Sequence, residues 1–149
     1  MSAEPTEGET VSIHADLRAY SSDALLHQRV FGSEEFIAWT RNESHLALHL
    51  DSLDEALLRI DSIANLLASE LPQYPVSRMS LRIACRTTLW PGRILEPTLN
   101  GLWGEEAVRV VELAPLRRKD VATAATARGI DEKDFIRELY ASNSVPFSH

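Results

Sequence analysis

Strand-like and helix-like runs alternate along this chain of 149 residues, and this alternation constrains the fold more than any other feature. Apolar residues at every second position predict strands over about 11–17 and 79–85. The almost wholly apolar run 46–50 predicts a central strand of a parallel sheet that is covered on both faces, and a fourth strand is predicted at 108–113. Because strands separated by helices are typical of layered α/β domains, we expect a mostly parallel sheet of about four strands with flanking helices.

The segments between the predicted strands carry apolar residues three or four positions apart, which is the spacing of a helix with one buried face. Residues 22–40 are predicted to be helical with an interruption near Gly32, and residues 54–71 form a second predicted helix that ends at Pro72. Three shorter helices are predicted after the third and fourth strands, at 94–103, 119–128 and 131–141.

Composition excludes several classes of partner. The chain is 44% hydrophobic and 25% charged, close to the average of soluble globular domains. Its formal net charge of −7 argues against a nucleic-acid surface, because phosphate binding requires clustered Lys and Arg. No apolar run approaches the roughly 18 residues of a membrane span. The single cysteine, Cys85, suits a reducing compartment, and the acidic start at 1–9 does not resemble a signal peptide, so we expect a cytoplasmic protein.

Three acidic residues follow the predicted strand at 46–50, namely Asp51, Asp54 and Glu55. In open α/β sheets, ligands bind at the carboxyl ends of the strands. A carboxylate in the position of Asp51 suits the magnesium ion that bridges nucleotide phosphates, and Glu55 suits the group that orients or deprotonates an attacking water. The alternative is that Asp51 occupies a turn while Asp54 and Glu55 favour the positive end of the next helix.

A basic residue, Arg86, follows the next predicted strand along the chain. Neighbouring parallel strands end at the same edge of a sheet, so the guanidinium of Arg86 is expected beside the carboxylates. A planar, permanently charged group of this kind is suited to the terminal phosphate of a nucleotide. The alternative interpretation is an ordinary surface arginine at the end of a strand. The acidic residues upstream make that alternative less favoured.

These residues belong to strings that resemble bacterial NACHT-like STAND ATPases. The strings are LHLDSLDE at 48–55, LRIACRT at 81–87 and VELAPL at 111–116, and the resemblance extends over about residues 10–147. It implies that the first string is the Walker B strand of a P-loop NTPase and that the second is the sensor 1 strand. The third string would then lead from the sheet into a helical lid.

The resemblance also implies roles for individual residues and a domain organisation. Asp51 would bind Mg²⁺, Glu55 would be the catalytic carboxylate with Asp54 assisting, and Arg86 would contact the γ-phosphate of ATP. The cofactors would therefore be Mg²⁺ and ATP. The corresponding segments would be a disordered acidic tail at 1–9, a partial P-loop NTPase core at 10–116 and the start of the lid at 117–149.

One element of that family has no counterpart here, because the sequence contains no Gly-x-x-x-x-Gly-Lys-Ser/Thr phosphate-binding loop. We therefore expect a truncated nucleotide-binding module of a signalling ATPase whose isolated chain is inactive. Its expected partner is a complementary chain that carries the loop, or a second copy through self-association. The alternative function is a non-catalytic α/β interaction module in which the same acids only solvate loop ends.

Overall fold

A computed structural model of the protein describes residues 9–54, 59–114 and 117–141. Three strands form one parallel sheet in the order β1-β2-β3. Their bounds are Thr10–Asp16 for β1, His45–Asp51 for β2 and Met79–Ile83 for β3. The mostly parallel α/β fold predicted from the sequence is confirmed, and β2 is its central strand.

The described part of the chain contains six α-helices. Two of them connect β1 to β2, one connects β2 to β3, and three follow β3; they are α1 Asp23–Val30, α2 Glu34–Arg41, α3 Ile60–Glu70, α4 Gly92–Trp103, α5 Arg118–Ala127 and α6 Glu132–Ala141. The predicted break near Gly32 separates α1 from α2. Ser22 caps α1 by accepting a hydrogen bond from the amide of Leu25, and Ser33 caps α2 by accepting one from Phe36.

One face of the sheet is the core face. The register places Val11 beside Leu46 and Leu46 beside Met79, and this pairing repeats at every second position along the strands. Helices α1–α4 supply the other half of a single hydrophobic cluster, whose largest fully buried members include Phe36 and Trp39 from α2. Right-handed crossovers that run in the same direction across a sheet place their helices on the same face, which accounts for this one-sided packing.

The opposite face of the sheet is open within the described residues, which corrects the prediction that β2 is covered on both faces. The side chains on this side are exposed or half-buried and mostly polar, and together they are named the open face: Ser12, His14, His45, Ala47, His49, Ser80 and Arg82. Parallel sheets are normally covered on both sides, so the open face departs from the usual arrangement.

The predicted fourth strand at 108–113 is also wrong, because this segment is irregular and pairs with no strand in the described structure. The side chains of Val110, Val111 and Leu113 are 64%, 79% and 91% exposed. Strand propensity reflects how well side chains pack on a pleated sheet surface. A segment rich in strand-favouring residues gains no hydrogen bonds of a sheet unless the edge of another strand lies beside it.

The chain divides between Val110 and Val111 into two compact units. In the second unit α5 contacts α6, and Ala122, Ala125 and Ile136 are buried. Gly129 follows α5 with a φ of 71°, a conformation that glycine adopts without steric cost. No helix within the described ranges is long and apolar enough to cross a membrane.

Candidate functional site at the carboxyl edge of the sheet

The segments that follow β2 and β3 remain hydrogen-bonded to each other beyond the ends of the strands. The amide of Ala84 donates to the carbonyl of Leu50 at 2.9 Å, and the amide of Leu53 donates to the carbonyl of Ala84 at 3.1 Å. These main-chain bonds hold the two strand-to-helix connections together at one edge of the sheet. The residues predicted to form the site follow directly from this point.

Asp54 and Arg86 are in direct contact at this edge. The Arg86 amide donates to Asp54 Oδ1 at 3.3 Å, and Arg86 Nε lies 3.1 Å from Asp54 Oδ2. Asp54 is buried, with 9% of its side chain exposed, whereas 74% of the Arg86 side chain is exposed. Within the described residues the two terminal nitrogens of the guanidinium have no hydrogen-bond partner, so Asp54 fixes Arg86 while leaving its outer donors in solvent.

Asp51 is the last residue of β2 and lies on the same edge as Arg86. Its side chain is exposed, and its Oδ1 accepts a hydrogen bond from the amide of Ser52 at 2.7 Å. Ser52 has a φ of 61°, the one positive value at a non-glycine residue in the described structure. Such a conformation costs on the order of 1 kcal/mol or more and is retained only where its surroundings impose it. Here the bonds of Leu50 and Leu53 to Ala84 impose it from both sides.

Asp16 also lies at this edge, although it was not among the predicted site residues. The parallel register places Asp16 of β1 beside Asp51 of β2. Arg18 engages Asp16 with its Nε at 3.0 Å and one terminal nitrogen at 2.7 Å, and these hydrogen bonds lower the pKa of the Asp16 carboxyl. An aspartate that ends the first predicted strand, as Asp51 ends the second, was the available sequence signal.

The described residues contain no group of three or more His, Cys, Asp or Glu side chains arranged to hold a metal ion. Asp51 therefore stands as a single carboxylate beside an Asp16 that is already bound by arginine. Glu55, the predicted catalytic carboxylate, lies outside the described residues. Of the predicted site residues, Asp51, Asp54 and Arg86 are brought to one edge, and Asp54 and Arg86 touch.

Cys85 lies in the connection that follows β3 but does not have the surroundings of a reactive thiol. Its side chain is half-buried, and its Sγ is 3.4 Å from the carbonyl of Arg86. Burial raises the pKa of the Cys85 thiol, and the nearby Asp54 carboxylate raises it further. The thiol therefore remains protonated near neutral pH, which disfavours nucleophilic chemistry.

Comparison with known proteins adds no family or relative. No protein-family model matches the chain, and no curated protein or solved structure is significantly similar to it. The functional interpretation therefore depends on the geometry of the carboxyl edge and on the sequence.

The Asp54–Arg86 contact is expected to couple the two residues energetically. In a double-mutant cycle of Asp54→Ala and Arg86→Ala, we expect a coupling free energy of about 1 kcal/mol in unfolding, because one partner is buried and the other is largely solvated. Asp54→Ala alone should cost more than Arg86→Ala, because it also removes the acceptor of the Arg86 amide. Urea denaturation measures all four corners of the cycle.

Arg29→Ala provides the control for this cycle, because Arg29 is exposed on α1. Its effect should add to that of Asp54→Ala without coupling. A coupling below about 0.3 kcal/mol between Asp54 and Arg86 would show that the contact does not hold the two connections together.

Proposed function

We propose that the carboxyl edge of the sheet is the magnesium-facing part of a nucleotide site of the NACHT/STAND signalling type. The observation that supports this most directly is the fixed guanidinium of Arg86. Asp54 orients this guanidinium at the edge of the sheet where β2 ends in Asp51. The terminal nitrogens of the guanidinium have no hydrogen-bond partner among the described residues. A positioned cation beside an exposed carboxylate suits a phosphate chain with its bound Mg²⁺.

In this proposal each residue has a distinct task. Asp51 binds Mg²⁺, directly or through water, and Arg86 contacts the terminal phosphate of ATP. Glu55 activates the attacking water, and Asp54 acts as a positioning residue that holds Arg86. Magnesium usually takes only one or two protein carboxylates and obtains its other ligands from phosphates and water, so a single free Asp51 is sufficient for the protein's share.

The phosphate-binding loop would come from elsewhere, because the sequence contains none. We propose that a complementary chain supplies it. Without that loop the phosphates lack their main-chain amide ligands, and Asp51 and Asp16 repel a nucleotide that arrives without Mg²⁺. The isolated chain should therefore bind Mg·ATP weakly and should not hydrolyse it above the uncatalysed rate.

A titration of the ¹⁵N-labelled chain with Mg·ATP tests this proposal. We expect a dissociation constant on the order of 1 mM, which corresponds to about −4 kcal/mol. Amide shifts should be concentrated at residues 51–53 and 84–86. Asp51→Asn should abolish them, and Arg86→Ala should weaken them several-fold.

The matched control is Glu43→Gln, which removes the same charge just before β2 begins, at the opposite edge of the sheet. This variant should bind Mg·ATP as the unmodified chain does. The proposal fails if no amide at the carboxyl edge responds at about ten times the expected dissociation constant. It also fails if Asp51→Asn and Glu43→Gln behave alike.

A non-catalytic interaction module is the second candidate, and the Asp54–Arg86 contact favours it in one respect. The ion pair, together with the bonds between Leu50, Leu53 and Ala84, is sufficient to stabilise two loops without a ligand. A chain that shows no response to Mg·ATP but retains the Asp54–Arg86 coupling in unfolding would support this alternative.

A further inference from the structure

The outer edge of β3 is one of two features that the proposed nucleotide site does not use. Successive residues of a strand point their main-chain N–H and C=O groups to opposite sides, and Ala84 bonds towards β2. The main-chain groups of Leu81 and Ile83 therefore point away from β2, and they have no partner in the described residues. Nearer the start of the strand, the Met79 carbonyl already accepts a hydrogen bond from Trp103 Nε1. The free part of the edge thus offers the N–H and C=O groups of two residues.

The second feature is the segment 109–113, which has the sequence Arg-Val-Val-Glu-Leu. The side chains of Val110, Val111 and Leu113 are exposed, and residues 109–113 make no main-chain hydrogen bond within the described ranges. Val108, directly before the segment, packs against the hydrophobic core. The segment therefore starts from a fixed point and has the composition of a strand, but it lacks a sheet edge with which to pair.

The side-chain pattern of the segment matches that of β3 when Glu112 lies opposite Arg82. Side chains alternate between the two faces of a sheet, so Glu112 then lies on the open face with Arg82. Its neighbours Val111 and Leu113 fall on the core face, beside the apolar neighbours of Arg82. The match holds for a parallel and for an antiparallel alignment, because both patterns are symmetric about their charged residue. A slip of one residue would place Glu112 on the core face.

The charges of the two central residues are complementary and unused. Arg82 and Glu112 are both exposed, and neither makes an ion pair or a side-chain hydrogen bond within the part of the chain that the structure describes. Opposite charges directly across two strands stabilise the pairing, whereas like charges destabilise it. The Arg82–Glu112 pair would therefore favour the same register that brings the apolar side chains together.

We propose that the segment 109–113 of one copy of this chain adds as a strand to the free edge of β3 in a second copy. The segment is unpaired and exposed in the single chain, so its main-chain groups are available to another molecule. A reciprocal exchange fills the free edge of both copies and gives a closed dimer. The contact uses neither Asp51 nor Arg86 and does not depend on the nucleotide proposal.

Charge reversal and mixing test the proposal, with dissociation constants measured by sedimentation equilibrium. Arg82→Glu places two carboxylates opposite each other, and Glu112→Arg places two guanidinium groups there. Each variant alone should dimerise about tenfold more weakly than the unmodified chain, because the pair occurs twice in a reciprocal dimer. An equimolar mixture of the two variants should dimerise about as tightly as the unmodified chain, because each edge then faces a segment of opposite charge.

Mixing also separates pairing between copies from pairing within one chain. If the segment paired with β3 of its own chain, neither variant could supply the charge that the other lacks, and mixing would restore nothing. The controls Arg93→Glu and Glu43→Arg change the net charge by the same amounts at exposed positions on α4 and before β2. Each should stay within about twofold of the unmodified dissociation constant. A mixture that associates no more tightly than the separate charge-reversal variants would overturn the proposal.

Amide hydrogen exchange identifies the contact itself. The amides of Leu81 and Ile83 should exchange about fivefold more slowly when the chain is concentrated above its dissociation constant, because they then bond to the added strand. The amide of Arg82 faces β2 and should keep its rate. Arg82→Glu should lose the protection at the same concentration. A dimer that leaves the Leu81 and Ile83 amides unprotected would be held by another surface, and this result would overturn the proposal.

Discussion

Replacing Trp39 by alanine should lower the free energy of unfolding by about 3–5 kcal/mol, a large part of the stability of a domain of this size. Trp39 is fully buried, and its ring packs edge to face against Phe36 at a centroid distance of 5.2 Å. Its indole N–H donates to the carbonyl of Ser44 at 3.0 Å, just before β2 begins. The substitution therefore leaves a cavity and also removes a tie between α2 and the central strand. Denaturant unfolding followed by circular dichroism measures the effect.

Two further variants separate the contributions of Trp39. Trp39→Phe keeps most of the apolar volume but loses the hydrogen bond, so it should cost about 1–2 kcal/mol. Ile37→Ala, on the exposed side of the same helix at 38% exposure, should change stability by less than about 1 kcal/mol. If Trp39→Ala cost no more than Ile37→Ala, Trp39 would not be the residue that anchors α2 in the core.

Self-association of the purified chain at micromolar concentration is the second large effect that we expect. β3 is an edge strand, and the main-chain N–H and C=O groups of successive residues along a strand point to opposite sides. The main-chain groups of Ala84, the residue after β3, bond on the β2 side, so those of Leu81 and Ile83 point to the side that has no neighbouring strand. The Met79 carbonyl on that side accepts a hydrogen bond from Trp103 Nε1 at 3.1 Å. No such partner is present for Leu81 or Ile83 in the described ranges, and unpaired edges promote pairing between chains.

The exposed side chains of Val110, Val111 and Leu113 are a second cause of association, because apolar, strand-prone residues in solvent favour pairing between chains. The double variant Val111→Glu/Leu113→Glu should shift the chain towards the monomer in light scattering coupled to size exclusion. Ala124→Glu/Ala127→Glu, at exposed positions of α5, adds the same charge and should have a much smaller effect. A monomeric chain that melts cooperatively and binds no apolar dye would contradict this expectation.

Much of the local structure could be predicted from the sequence because it depends on neighbouring residues. Alternating apolar positions place Val11, Ile13 and Ala15 on one face of β1 whatever lies opposite them. Ser22 caps α1, and Gly129 ends the turn after α5, through interactions that span only a few residues. Short-range hydrogen bonding and side-chain periodicity suffice for such features.

The predictions from sequence were wrong where the structure of a segment depends on which other segments lie beside it. Segment 108–113 has the composition of a strand, but a strand also requires an edge with which to pair. The run 46–50 is apolar enough for a buried strand, yet only its Leu46, Leu48 and Leu50 side is packed by helices. His45 and His49, which alternate with the three leucines, were the sequence signs of an open side.

The positions of Asp51 and Arg86 after successive strands could be deduced from the sequence, because local hydrophobic patterns encode where the strands lie. The folded structure was needed to show that Asp54 is buried against Arg86, that Asp16 lies beside Asp51, and that His14, His49 and Arg82 share one row. The reason is that register and strand order bring together residues that are tens of positions apart in sequence. Burial of the common apolar face fixes that register, since a slip of one residue would turn Leu48 and its neighbours towards solvent.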